Sequence, residues 1–482
     1  MPNTINIKVN ERCGNYKLLK YHYMEITINR TDLFITHSVI YSLLFSRCRL
    51  YFFILATSLL FFLCHPATAA EFSKVLKPYI NYTVTADDNI LRIRDNLTPD
   101  SITDTHIRNL IAQGKLADVS NRMTAGIMFE REMSRQRFTA DFNWTYTKFE
   151  RFSTVDNDVK SATGNWNWFL GNRLEGNMGA TYVESLMPFI FQPGLKIIRT
   201  EQRQFINGAW NFHPRWRLVG EYTHYSLDTG KNPRADNLDR SENRFEGGID
   251  YVTPGKNTFG IVFRNILGNF TNPARDASGT VIIESDGSFI DNGFYQKEAL
   301  ARVNWAVSEK SRLQASAGWV ERLNNDLKQR NFNGFNGTVT YHWQPTAKLG
   351  LTVNGWRLTS SMNNLTANFS LNTGASIVPS WNITEKIRLE GDFSYETRNF
   401  NRFTEITDQF PVGRNNTLRN AALKLIYSPY LGLQLTTSIY HSDFNAEPFI
   451  RTTPAGTQVL TNPGDFNANG VTASLQYIYG KR

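Results

Sequence analysis

After Glu71 the chain alternates apolar and polar residues in segments of about 10 to 14 residues, the period of a two-faced strand. In the segment from Lys386 to Arg398, Ile387, Leu389, Gly391, Phe393 and Tyr395 fall on one face. Arg388, Glu390, Asp392, Ser394 and Glu396 fall on the other. The segment from Phe138 to Tyr146 sets Phe138, Ala140, Phe142, Trp144 and Tyr146 against Thr139, Asp141, Asn143 and Thr145. Leu313, Ala315, Ala317 and Trp319 repeat the pattern, as do Ala301, Val303 and Trp305 opposite Arg302 and Asn304. Strands are expected near 78–86, 121–133, 137–149, 159–169, 173–185, 201–212, 215–227, 242–252 and 257–266. Others follow near 295–307, 311–323, 332–343, 348–360, 368–381, 386–398, 414–427, 431–443 and 469–479.

The connections alternate too. Short turns are expected at Ser134-Arg135-Gln136, Gly171-Asn172, His213-Pro214, Thr253-Pro254-Gly255-Lys256, Ser308-Glu309-Lys310, Gln344-Pro345-Thr346, Asn382-Ile383-Thr384-Glu385 and Ser428-Pro429-Tyr430. Longer polar connections lie between them, with 87–120 and 444–467 at the two ends. Short turns on one side and long loops on the other are the rule of outer-membrane barrels. Lipid offers the backbone no hydrogen-bond partner, so strands cross a bilayer only as a closed barrel. The expected fold is all-β: a transmembrane antiparallel up-and-down β-barrel of about eighteen strands (16–18), with short periplasmic turns and long extracellular loops. An even count leaves both chain ends in the periplasm. Trp216, Trp343 and Tyr427, close to the turns, suit an interfacial girdle. Val471, Ala473, Leu475, Tyr477 and Tyr479 form a last strand of the kind that barrel-insertion machinery reads, although Gly480-Lys481-Arg482 follow where a terminal aromatic is common.

Composition narrows the picture further. A mean hydropathy of −0.38 is too polar for a helical membrane protein. The one long apolar run, Tyr51 to Cys64, is too short to span a bilayer, which takes about 20 residues. It follows Arg47 and Arg49 and precedes His65-Pro66-Ala67-Thr68-Ala69-Ala70, the layout of a secretory signal peptide. Residues 1–70 are expected to be leader and signal peptide, cleaved after Ala69 or Ala70, and 71–482 the barrel. A lipoprotein site at Cys64 is disfavoured by the bulk of Leu63, and the long leader leaves room for a start at Met24. All three cysteines, Cys13, Cys48 and Cys64, precede the cleavage site, so the mature chain has no disulfide, zinc-thiolate or thiol nucleophile. The first 70 residues carry seven Lys/Arg and three Asp/Glu, which leaves 45 basic against 40 acidic residues and a net charge of +5. That is no footprint for a nucleic acid.

The first strand ends in a block of charge, Asp87-Asp88-Asn89, followed by Arg92 and Arg94. Charge is inexpensive where a strand leaves the membrane, Asp and Asn favour turns, and the two arginines can screen the acids. The competing reading is an oxygen cluster for a divalent cation or a sugar, drawn from Asp87, Asp88, Asn89 and Asp95. The stretch KPYINYTVTADDNILRIRDN, with Pro78, Tyr79, Asp87, Asp88 and Asn89, resembles the opening of the EpsL-type β-barrel porins associated with exopolysaccharide biosynthesis. The resemblance implies a role in making or exporting polysaccharide across the outer membrane, and it brings no catalytic residues with it.

No phosphate loop, paired-cysteine cluster or His-Glu-x-x-His helix is present. No catalytic, metal or cofactor position is expected. The candidate lumen-lining set is Asp141, Arg217, Glu221, Glu246, Asp250, Arg302, Arg388, Glu390, Asp392 and Lys424. It reads either as a solvated, mutually neutralising wall or as a charged path that tunes the passage of anionic sugars. Tyr222-Thr223-His224-Tyr225-Ser226 resembles the Tyr-Thr-His-x-Ser run of the outer-membrane phospholipase, with His224 and Ser226 on one face near the outer rim and Asn243 on the next strand. Its following residues, Leu227-Asp228, depart from that enzyme's context. His342 and His441 are read as rim or lumen residues. A short helix within Ser101 to Ala117, started by a Ser101-x-x-Asp104 capping box, would put Ile107, Leu110 and Ile111 on one face. It folds into the lumen or stays an ordinary loop.

The function this implies is a non-enzymatic barrel of the Gram-negative outer membrane that assists exopolysaccharide export or assembly. The alternatives are a general diffusion porin and, third, a rim-sited hydrolase. Expected partners are outer-membrane lipid and lipopolysaccharide, the insertion machinery, and exopolysaccharide with its export components.

Overall fold

The computed structural model describes residues 75–480 apart from 98, 100–103, 191–192, 231–237, 274–280, 282, 284–286, 327, 329–330, 365–366, 400–414, 453–457 and 462–463. The leader, its cleavage site and the three cysteines lie outside the described residues.

Eighteen strands form one antiparallel sheet closed on itself. The first nine are β1 (Leu76–Asp87), β2 (Asp118–Met133), β3 (Gln136–Phe149), β4 (Asn157–Leu170), β5 (Leu174–Leu186), β6 (Ile198–His213), β7 (Trp216–Asp228), β8 (Arg240–Val252) and β9 (Thr258–Phe270). Then come β10 (Phe294–Ser308), β11 (Ser311–Asn324), β12 (Phe332–Trp343), β13 (Leu349–Asn364), β14 (Ala367–Asn382), β15 (Ile387–Asn399), β16 (Asn415–Tyr430) and β17 (Leu433–Ala446). A small hairpin, β18 (Phe449–Thr452) and β19 (Gln458–Thr461), stands in the last long loop before β20 (Phe466–Ile478). Each barrel strand pairs with the barrel strands before and after it, β17 with β20 across the small hairpin, and β1 pairs with β20 from Tyr79 opposite Ile478 to Asp87 opposite Gly470. That seam leaves no open edge, as a bilayer requires. No described helix is long and apolar enough to cross a membrane; the crossing is made by strands.

Paired residues share a face, so the register assigns every strand position to the outside or the lumen. The outside is apolar and bare: Phe142 is 53% exposed, Trp319 57% and Phe263 63%. A belt of this kind faces lipid, and the molecule is an integral outer-membrane barrel. Trp216, Trp343 and Tyr427 lie exposed beside the short turns, where the girdle was expected. One turn is displaced. Instead of bending at Ser428-Pro429-Tyr430, β16 runs through Pro429 with a register shift between Tyr427 and Tyr430, and the chain turns at Leu431-Gly432. Pro429 has no N–H to give the ladder, so the irregularity forms there. Gly432 supplies the positive φ of 92° that the turn needs.

The long loops after β1, β3 and β5 fold inward and build an apolar roof over one side of the outer mouth. The helix α1 (Thr105–Ala112) contributes Ile107, 1% exposed, to a cluster with Leu91, Ile93, Phe149, Phe152, Val155 and Phe189. Leu110 and Ile111 pack against it, so the expected helical face is the buried one. Its N-cap is Asp104, whose Oδ1 accepts the Ile107 N–H at 3.0 Å. The expected capping box had Asp104 one turn inside the helix; the observed helix starts later because Asp104 itself satisfies the free N–H. Ser101 lies outside the described residues. Phe149 is the lumen-facing end of β3, so this cluster sits inside the mouth.

The charge block at the end of β1 does not lie in open water. Asp87 is 4% exposed and Asn89 6%. Asp87 pairs with Arg92 at 2.8 Å and accepts the Tyr440 hydroxyl. Asp88 accepts the Asn469 backbone N–H at 2.7 Å and its side-chain amide at 2.8 Å. Asn89 closes a loop with Ile93 through its own amide, donating to the Ile93 carbonyl at 2.9 Å and accepting its N–H at 2.8 Å. The three side chains point three ways, and among the described residues no group of three His, Cys, Asp or Glu is placed to hold a metal ion. Arg92 screens Asp87 as expected, but Arg94 lies 4.9 Å over the Phe444 ring and donates to the Ile190 carbonyl. Burial pulls the Arg94 guanidinium below its ordinary pKa, and Asp465 opposes that shift.

Candidate functional site

Asp250, fully buried on β8, is the centre of the lumen wall. Arg217 on β7 reaches its Oδ2 at 2.8 Å. Arg302 on β10 grips the same carboxylate with two bonds of 2.9 Å. A whole strand lies between them, and Gly260 of β9 makes the span possible. It stands opposite both Asp250 and Arg302, and a Cβ there would fall 2.0 Å from the Asp250 Oδ1. Bidentate contacts of this kind fix geometry as well as charge.

The network continues along β8 to β10. Arg264 bridges Glu246 and Glu298 at 2.7 Å each, and Arg302 comes within 3.4 Å of Glu246. Glu221 pairs with Arg244. A smaller network stands on β15 and β16, where Glu390 lies 3.2 Å from both Arg388 and Lys424. Asp392 shares that lumen face, opposite Ala422. Asp141 stands apart on β3, accepting the Tyr79 hydroxyl at 3.1 Å and the Asn143 amide at 2.9 Å. All ten candidate positions lie on the face away from the apolar belt. Arg264, Glu298, Arg244 and Gly260 complete the wall and were not singled out from sequence, although alternation in Thr258–Phe270 places Gly260, Val262 and Arg264 on one face.

Between these stripes much of the wall is amide and hydroxyl, although Lys77, Glu130 and Arg137 form an ion-pair cluster on β1 to β3 and Arg199 pairs with Glu201 on β6. An amide chain runs Asn165, Asn167, Asn177, Asn207 with links of 2.7, 2.6 and 3.3 Å. Hydroxyl pairs join Thr124 to Thr145 and Ser316 to Thr338. The lumen also holds rings, each laid across a glycine on the neighbouring strand: Tyr79 over Gly126, Phe205 over Gly179, Trp356 over Gly374 and Tyr440 over Gly470. The cross-strand glycine is the signal for them, and it becomes readable only with the register.

The rim motif forms in part. Asn243 Oδ1 takes both His224 Nδ1 and the Tyr222 hydroxyl at 2.9 Å. No hydrogen bond joins Ser226 to His224 in the structure. The same His–Asn pair recurs at His441 and Asn469, 2.8 Å apart, where the position two further on is Asp443. The pair is a feature of the outer rim with or without a serine. His342 turns to the lumen and meets Thr352 at 3.0 Å.

No family model matches the chain. No curated protein matches it either. Solved structures that resemble it include OccK2 (OpdF) of Pseudomonas aeruginosa, at 10% identity and TM-score 0.43, covering 84% of this chain and 98% of that one. OpdK of the same organism gives 9% and 0.42, covering 84% and 100%. A BenF-like porin from Pseudomonas fluorescens gives 8% and 0.41, covering 84% and 98%. At such distances the chain's own closure, register and apolar belt carry the fold.

Proposed function

We propose that the protein is a non-enzymatic diffusion channel for small hydrophilic solutes. The observation that supports this most is the lumen wall: an eighteen-strand barrel with polar and charged side chains along its inner face. A barrel of this strand number is wide enough to enclose an aqueous channel. Many of its charges are paired, so the wall is wet without being strongly of one sign, and the roof narrows the mouth to small molecules. The test is conductance of the purified protein in a planar bilayer with potassium chloride, together with swelling of liposomes in sugar and amino-acid solutions. Discrete channel openings and size-limited swelling are expected; a barrel that inserts and conducts nothing overturns the reading.

A second reading, assistance to exopolysaccharide export, rests on the resemblance of residues 77–96. In the structure the same residues hold the roof to the wall, which accounts for Asp87, Asp88 and Asn89 without a polymer. A clean deletion separates the two. Polymer lost from the medium and trapped in the periplasm supports export, and unchanged secretion removes it.

A further inference from the structure

We propose that Trp356 is a stacking platform for a neutral pyranose sugar, an inference that rests on the reading of the lumen as a solute path. Trp356 stands half-way along β13 on the lumen face, opposite Thr338 of β12 and Gly374 of β14. The missing side chain at Gly374 lets the indole lie flat on the wall. A Cβ built there would fall 2.5 Å from the ring's Cζ2 and 2.7 Å from its Cε2. The indole N–H donates to Glu396 Oε2 at 3.0 Å, and Arg398 holds the other oxygen of that carboxylate at 2.6 Å. The ring is therefore fixed in plane and in azimuth on the lumen wall, and it is only half-buried there.

The other flattened rings of the wall are engaged. Tyr440 is bound to Asp87 under the roof. Phe205 has the Arg203 guanidinium 5.3 Å over it. Phe294, over Gly268, has Arg322 at 3.4 Å. Tyr79 is held by Asp141 near the periplasmic end. Among the described residues no ring or guanidinium stacks on Trp356.

The surroundings select the ligand class. An aromatic face carries partial negative charge and attracts polarised C–H groups, which a pyranose presents on its flat side. Its hydroxyls extend past the ring edge and need neutral donors and acceptors. The wall supplies them beside Trp356: Asn354 links Thr340 at 2.9 Å and Ser376 at 3.0 Å, and Asn420 links Ser394 at 3.2 Å. The nearest charge, Glu396, is already neutralised by Arg398, so neither a cation nor an anion is favoured.

The test uses the whole protein in a bilayer. Potassium conductance first establishes that the channel exists, which separates failure of the channel reading from failure of this one. Maltohexaose is then added, with sorbitol as an acyclic control. Maltohexaose is expected to interrupt the current at concentrations where sorbitol does not. Trp356→Leu removes the ring and Gly374→Ala pushes it off the wall; each should raise the half-blocking concentration about tenfold or more, with potassium conductance unchanged. Trp319→Leu, on the lipid side, should leave it alone. Binding is read independently, in detergent, as a maltohexaose-dependent change in tryptophan fluorescence that Trp356→Leu abolishes. Equal block of wild type and both variants, or no block and no fluorescence change in a folded wild type, overturns the proposal.

Discussion

At the scale of single residues, the side chains that look most like a ligand site serve the fold. Asp87, Asp88 and Asn89 stand out in the sequence, and their importance was legible there. The burial of Asp87 and Asn89 was not, nor the anchoring of the exposed Asp88, because these depend on a loop that turns inward and on Tyr440 and Asn469, more than 350 residues away. Asp87→Ala strands Arg92 and frees the Tyr440 hydroxyl. It is expected to cost about 1–3 kcal/mol, read as a lower temperature for the heat-induced gel shift of the folded barrel. Ser226→Ala tests the remaining catalytic suggestion. With no bond from Ser226 to His224, phospholipid hydrolysis by wild type and variant should be equal and at background; a serine-dependent activity would restore the hydrolase reading.

At the scale of elements, alternation carried nearly everything. Every expected strand is present, and its ends fall close to the expected ones, because a two-residue period with one lipid face is written in consecutive residues. The exception is instructive: at Pro429 a turn signal lost to strand continuation, since a bulge absorbs the missing N–H and the glycine three residues on turns more easily. The helix α1 was legible through Ile107, Leu110 and Ile111, but its start was not, because Asp104 fits both a cap and a first-turn acid. Phe142→Arg places a charge half-way along β3 on the lipid side and should destabilise the barrel by about 2–4 kcal/mol, seen as loss of the compact band in urea titration. Asp104→Ala should cost about 0.5–2 kcal/mol and loosen the roof alone, seen as faster amide exchange in α1 with β3 unchanged.

At the scale of the whole molecule, the lumen is divided by charge. One stripe, β7 to β10, holds interlocked arginines and carboxylates; much of the remaining wall is amide and hydroxyl. Sequence marked the charged faces but could not pair them, because Arg302 reaches Asp250 across an intervening strand over Gly260. Near-neutral pairing predicts weak ion selectivity. Arg302→Ala leaves Asp250 and Glu246 under-compensated, and the reversal potential in a salt gradient should move toward cation preference. Shortening the loop of residues 88–117 opens the roof and should raise single-channel conductance without changing the strand content seen by circular dichroism.

The roof is tied to the last strand as well as the first. Asp88 is bonded to Asn469, and Asp95 exchanges backbone and side-chain bonds with Asp465. The loop that emerges earliest in synthesis thus has its anchor in the segment made last. Until β20 arrives the first loop lacks its bonds to Asp465 and Asn469, so mouth narrowing is finished only as the wall closes. A chain ending before Phe466 is expected to expose residues 88–97 to protease added after insertion, while the full chain protects them. Permeability is in this sense inherited from the order of assembly: the pore is born already partly shut.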